Sequence, residues 1–78
     1  MMTKRTTYHV TQRDDGDWQV KGQGAPRASA VESTKAEAVS RGAEIARNKG
    51  NSQLIIHKQD GKIQDERTYD NDPYPPPG

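Results

Sequence analysis

Cysteine is absent from the 78 residues, which rules out disulfides, thiolate metal sites and thiol catalysis. Small secreted domains with little core usually rely on disulfides, so the absence agrees with an intracellular origin. Apolar side chains are scarce too: they make up 28% of the chain, the mean hydropathy is -1.22, and the aromatics are one Trp and three Tyr. A chain this short and polar cannot hold a second core, so one domain with a margin of a few kcal/mol is the ceiling. Self-association is one way to add to that margin. No run approaches the roughly 18 consecutive apolar residues of a membrane span, and the N-terminal segment lacks the apolar stretch of a secretory signal. A cytoplasmic protein without membrane contact is expected. Charge of one sign is also missing, since the formal net charge is +1. Residues 1–59 carry ten Lys and Arg against six Asp and Glu, whereas residues 60–78 carry two against five. Neither excess matches a dedicated nucleic-acid binder, whose affinity comes from many clustered phosphate contacts.

The apolar residues that are present fall into periodic segments, which favours a folded domain over a disordered chain. Residues 1–6 show no periodicity and read as a disordered leader. Thr7 to Arg13 is rich in β-branched and aromatic types, with Tyr8 and Val10 on one face and His9 and Thr11 on the other. Asp14-Asp15-Gly16-Asp17 is a turn sequence, and Trp18 to Lys21 returns as a second strand. Residues 22–33, with two glycines, a proline and small side chains, read as a connecting loop. Thr34 followed by Glu37 matches a capping box, so a helix is expected over Lys35–Lys49, closed by Gly50 at its C-terminus. Its stripe of Val39, Gly42, Ala43 and Ala46, widened by Ala38 and Ile45, is small enough for close packing on a sheet. Leu54-Ile55-Ile56-His57 is the most apolar run and reads as a central strand. A turn at Gln59-Asp60-Gly61-Lys62 then leads to a polar edge strand ending at Tyr69. The expected fold is α+β over residues 7–69, a small antiparallel sheet in β-β-α-β-β order with one helix on one face. Residues 70–78, with Pro73 and Pro75 to Pro77, read as an extended proline-rich tail.

These residues resemble a family of small bacterial proteins known as domain of unknown function 2188. The resemblance is carried by Tyr8-His9-Val10, Gly16-Asp17-Trp18, Thr34-x-x-Glu37-Ala38, Gly50 before the Leu54–His57 strand, Asp60-Gly61-Lys62-Ile63, and the closing Tyr69-Asp70-Asn71-Asp72-Pro73-Tyr74-Pro75-Pro76. It departs from the family at Asp70, where glycine is usual. The resemblance implies the fold and a bacterial origin; the family has no assigned activity, so no site residue is carried over from it.

Candidate chemistry is thin. His9 and His57 are the two histidines, both on expected strands, and would need adjacent strands plus Asp65 or Glu66 to gather a metal. Their spacing predicts no such cluster, and a solvent-facing or hydrogen-bonded structural role is the better reading. The neighbouring carboxylates Asp14-Asp15 and Asp65-Glu66 fit turn formation and edge protection. Gly22 and Gly24 lack the third glycine and following helix of a dinucleotide cradle. No catalytic residue, cofactor site or metal site is therefore assigned. The leading expectation is a non-enzymatic accessory or binding module whose partner is unknown, with another protein or a second copy favoured. Nucleic-acid binding through a face of Lys21, Arg27, Lys35 and Arg41 is the alternative, weakened by Glu37 and Glu44 on the same helix. Tyr69, Asp72, Pro73 and Tyr74 form a third candidate, either a tail docked on the domain or a ligand for another protein's aromatic groove.

Overall fold

The computed structural model describes residues 6–69. Three strands, β1 (Thr6–Gln12), β2 (Trp18–Gly22) and β3 (Ala30–Glu32), precede a single helix α1 (Lys35–Lys49), and β4 (Ser52–His57) and β5 (Ile63–Tyr69) follow it. The first hairpin arises from its turn chemistry. Gly16 takes φ 95°, the Asp17 amide donates to Asp15 Oδ1 at 3.0 Å, and Arg13 N–H donates to Asp17 O at 2.6 Å. The resulting register sets Val10 against Val20 and Gln12 against Trp18.

α1 spans the expected residues. The Thr34 hydroxyl accepts from the Glu37 amide at 3.2 Å and donates to Glu37 Oε1, while Gly50 closes the helix at φ 71°. Ala38, Gly42, Ala43 and Ala46 are its buried residues. An ideal Cβ on Gly42 would stand 3.0 Å from Leu54 Cδ1 and 3.3 Å from methyls of Val10 and Val20. The glycine is therefore what lets the helix approach the sheet so closely. Val10, Val20 and Leu54 are fully buried beneath it, and Trp18 is 6% exposed. Tyr8, Val39, Ile45 and Tyr69 pack around this core. Ser52, also fully buried, donates to the Ala46 carbonyl at 2.5 Å and so ties the last helical turn to β4.

Two expectations need correction, and one strand explains both. The expected β-β-α-β-β order lacks β3, because Ala30–Glu32 falls inside the segment read as a loop. The sheet runs β3-β2-β1-β4-β5, and β1 pairs with β4 in parallel, so it is mixed rather than wholly antiparallel. With a third strand before the helix the chain enters α1 travelling in the direction of β1. The helix reverses it, and β4 leaves parallel to β1. The other three pairings are antiparallel. Thr6, assigned to the leader, already belongs to β1; residues 1–5 and 70–78 lie outside the described residues.

Candidate functional site

Strand alternation gives the sheet two unlike faces. One carries Tyr8, Val10, Trp18, Val20, Leu54 and Ile56 and lies under α1, which touches β1, β2, β3 and β4. On the other face no described element sits. Cross-strand pairs define its rows: Lys21 beside His9, His9 beside Ile55, and Ile55 beside Glu66. A second row sets Val31 beside Gln19 and Gln19 beside Thr11. A third sets Thr7 beside Gln53 and Gln53 beside Thr68.

Most side chains on this face are polar and uncharged. Ile55, at 7% exposure, is screened by its neighbours, whereas Val31 at 46% and Ile63 at 55% stand in solvent at opposite edges. Two open depressions mark the β1–β2–β3 side. One, of about 430 Å³, lies over His9, Thr11, Gln19, Lys21 and Gln23; the other, of about 750 Å³, runs from Gln19 and Lys21 to Arg13, Arg27 and Val31. The loop after β2 walls both and is held by Gln23 N–H to Thr7 O at 2.8 Å and Ser29 N–H to Val20 O at 2.7 Å.

The parallel pairing of β1 and β4 also brings the two histidines together, 48 residues apart in sequence. His9 Nδ1 lies 2.9 Å from His57 Nε2, with ring centroids 5.2 Å apart and the planes tilted by 32°. The outer nitrogens are anchored: His9 Nε2 is 3.3 Å from Gln23 Oε1, and His57 Nδ1 is 2.8 Å from Gly61 O. Gly61 is placed by its turn, where φ is 91° and Lys58 N–H donates to Lys62 O. Both rings are half-buried. Asp65, opposite Ile56, belongs to the helix side, and among the described residues no three His, Cys, Asp or Glu side chains converge as a metal cluster.

The four basic residues singled out in the sequence do not share a surface. Lys21 and Arg27 line the larger depression. Lys35 lies instead at the start of α1, its Nζ 5.4 Å from the Trp18 ring centroid and bonded to Gln64 Oε1. Arg41 is on the helix, paired with Glu32 at 3.6 Å and Glu44 at 3.3 Å. Of the tail residues, Tyr69 ends β5, packs on the core and lies under Arg47 at 6.0 Å. Asp72, Pro73 and Tyr74 are outside the described residues. Sequence reading missed Gln23 and the Gly61 carbonyl as partners of the histidines, since both contacts depend on loop placement after the register is set. Helical or strand periodicity carries no signal for either.

A family model described as "Uncharacterized protein conserved in bacteria (DUF2188)" matches residues 8–69. The chain belongs to this family. The DUF2188 match covers all five strands apart from the first two residues of β1, together with α1, and so includes both histidines and the uncovered face except Thr7. It stops before Asp70-Asn71-Asp72-Pro73, the closing motif that contributes to the resemblance. A curated relative, "Uncharacterized protein YdaT" of Bacillus subtilis (strain 168), is 45% identical over 56 residues, covering 72% of this chain and 36% of the relative. The chain thus spans about a third of that relative's length. No solved structure matches.

Proposed function

We propose that this DUF2188 domain is a non-enzymatic protein-binding module and that the sheet face opposite α1 is its contact surface. The observation that carries the reading is the character of that face. Exposed Val31 and Ile63 frame uncharged Thr7, Thr11, Gln19, Gln53 and Thr68, with one aliphatic side chain, Ile55, at the centre. Depletion of charge around apolar anchors marks the core of protein interfaces, whereas phosphate backbones are met by clustered cations. Lys21, Arg13 and Arg27 do meet around the larger depression, but Asp14 and Asp15 share its rim and Arg13 pairs with Asp15 at 3.8 Å, while Lys35 and Arg41 are engaged elsewhere.

Size sets the strength of the contact. Five strands about 4.8 Å apart and about six residues long present about 450 Å² a side, so about 900 Å² in all, at the low end for specific complexes. A weak, exchanging association is the expected regime. Among the described residues both depressions on this face are open to solvent, which supports a binding role over catalysis.

The test is quantitative co-purification from a lysate of a bacterium that encodes the family, with and without nuclease, using the native chain and the Val31→Asp/Ile63→Asp double variant. Nuclease-resistant capture of a defined protein that falls at least tenfold in the double variant supports the reading. Capture that disappears with nuclease, or that is equal for both chains, contradicts it. Thermal unfolding of the double variant within a few degrees of the native chain keeps the comparison fair, since both positions are exposed.

A further inference from the structure

Proton counting at the histidine pair exposes a deficit. Gly61 O can only accept, so His57 Nδ1 carries a hydrogen and donates to it. With the Gln23 amide placed so that its Oε1 faces His9 Nε2 at 3.3 Å, that nitrogen donates as well, and the proton count holds for this orientation of the amide. A neutral imidazole has one N–H, and in both rings it is used at the outer nitrogen. His9 Nδ1 and His57 Nε2 are then left facing each other at 2.9 Å, each with a lone pair and neither with a hydrogen. Two lone pairs at that distance repel unless a positive species lies between them.

We propose that His9 and His57 form a binding site for a borderline divalent transition-metal ion, of the class of Zn²⁺, Ni²⁺ or Cu²⁺. Neutral imidazole nitrogens are preferred ligands for these ions. Ligating histidines characteristically donate their remote N–H to a carbonyl or other acceptor, which fixes tautomer and ring orientation; Gly61 O and Gln23 Oε1 occupy those positions here. Tetrahedral zinc with bonds of about 2.0–2.1 Å needs its two nitrogens about 3.3–3.4 Å apart. The rings therefore have to separate by about 0.4 Å, a small side-chain adjustment on two half-buried residues. Water completes the shell from the open side of the sheet. Lys21, beside His9 in the same row, opposes the added charge, and Glu66 beyond Ile55 partly offsets it. The site is accordingly one of modest affinity. It does not rest on the protein-binding reading.

Gln23 makes the proposal testable in both directions. Rotating its amide would offer N–H₂ to His9 Nε2, place the His9 hydrogen on Nδ1, and close the network with no added cation. Glutamate at the same exposed position cannot donate in its ionised form, so it holds the hydrogen on Nε2 and leaves the facing lone pair free for metal. The experiment is a titration of the full chain with zinc chloride at fixed neutral pH, followed by long-range ¹H–¹⁵N spectra of the imidazole rings. His9 Nδ1 and His57 Nε2 are expected to shift together and saturate at one zinc per chain. His9→Ala and His57→Ala each weaken binding at least tenfold, and Gln23→Glu tightens it about tenfold. Zinc that leaves both rings unmoved up to millimolar concentration, moves one ring alone, or binds no better to Gln23→Glu overturns the proposal. Ring shifts driven by protons alone do the same.

Discussion

The two faces of this sheet are built from alternate residues of the same strands, yet they follow opposite rules. Under the middle of α1 the layers meet closely: Leu54, Val10 and Val20 are inaccessible, and the helix residue above them has no side chain at all. On the far face Ile55, one residue from Leu54, is screened by side chains of its own layer, with no described element above it. A chain with 28% apolar residues can afford one tightly packed interface. The buried apolar side chains are concentrated beneath the helix, and the other face carries mostly polar and histidine side chains.

Neighbouring truncations break the comparison most sharply. Leu54→Ala opens a cavity between two packed layers and is expected to cost about 2–5 kcal/mol, enough to unfold much of the population of so small a domain. Ile55→Ala leaves a hollow that water can enter, so the transfer term remains without the cavity term, about 1–2 kcal/mol. Urea unfolding of both variants checks the order; equal losses would mean that the far face is as tightly enclosed as the near one.

Gly42→Ala sharpens the account of the near face. The added methyl meets three buried side chains at 3.0–3.3 Å. Overpacking costs about 1–3 kcal/mol, against about 1 kcal/mol gained in helix propensity, so a net loss of about 1 kcal/mol is expected. That corresponds to a fall in Tm of about 4–8 °C by calorimetry. An unchanged or higher Tm would show that the helix has room to withdraw. Removing residues 70–78 has the smallest expected effect. If the far face is reserved for a partner, the truncated chain melts within a few degrees of the full one, whereas a large fall would mean that the chain's own tail is a docked part of the fold.

Local signals in the sequence were enough for much of the architecture. The Thr34/Glu37 cap, the small-residue stripe and Gly50 mark α1 residue for residue, and the Asp-Gly turns at Gly16 and Gly61 place both hairpins. Ala30–Glu32 escaped because three residues, two of them half-buried and one exposed, carry no readable alternation. Losing it reversed the inferred direction of β4 and turned a parallel pair into an antiparallel one. The same non-local register decides the site. Nothing near His9 in sequence points to His57; their contact exists because β1 and β4 run side by side in parallel, with Val10 level with Ile56. The Lys21, Arg27, Lys35 and Arg41 group was assembled from sequence proximity, which does not register that Lys21 and Lys35 lie on opposite sides of the sheet.

Photo-cross-linking in the cell tests the division between the faces most directly. A photoreactive amino acid would be placed at Val31 or Ile63 on the far face, or at Glu44 on the outer surface of α1, all three being exposed in the isolated chain. Covalent adducts to a defined protein from Val31 and Ile63, with none from Glu44, are the predicted result. Adducts formed from Glu44 while Val31 and Ile63 stay unlabelled would contradict the account.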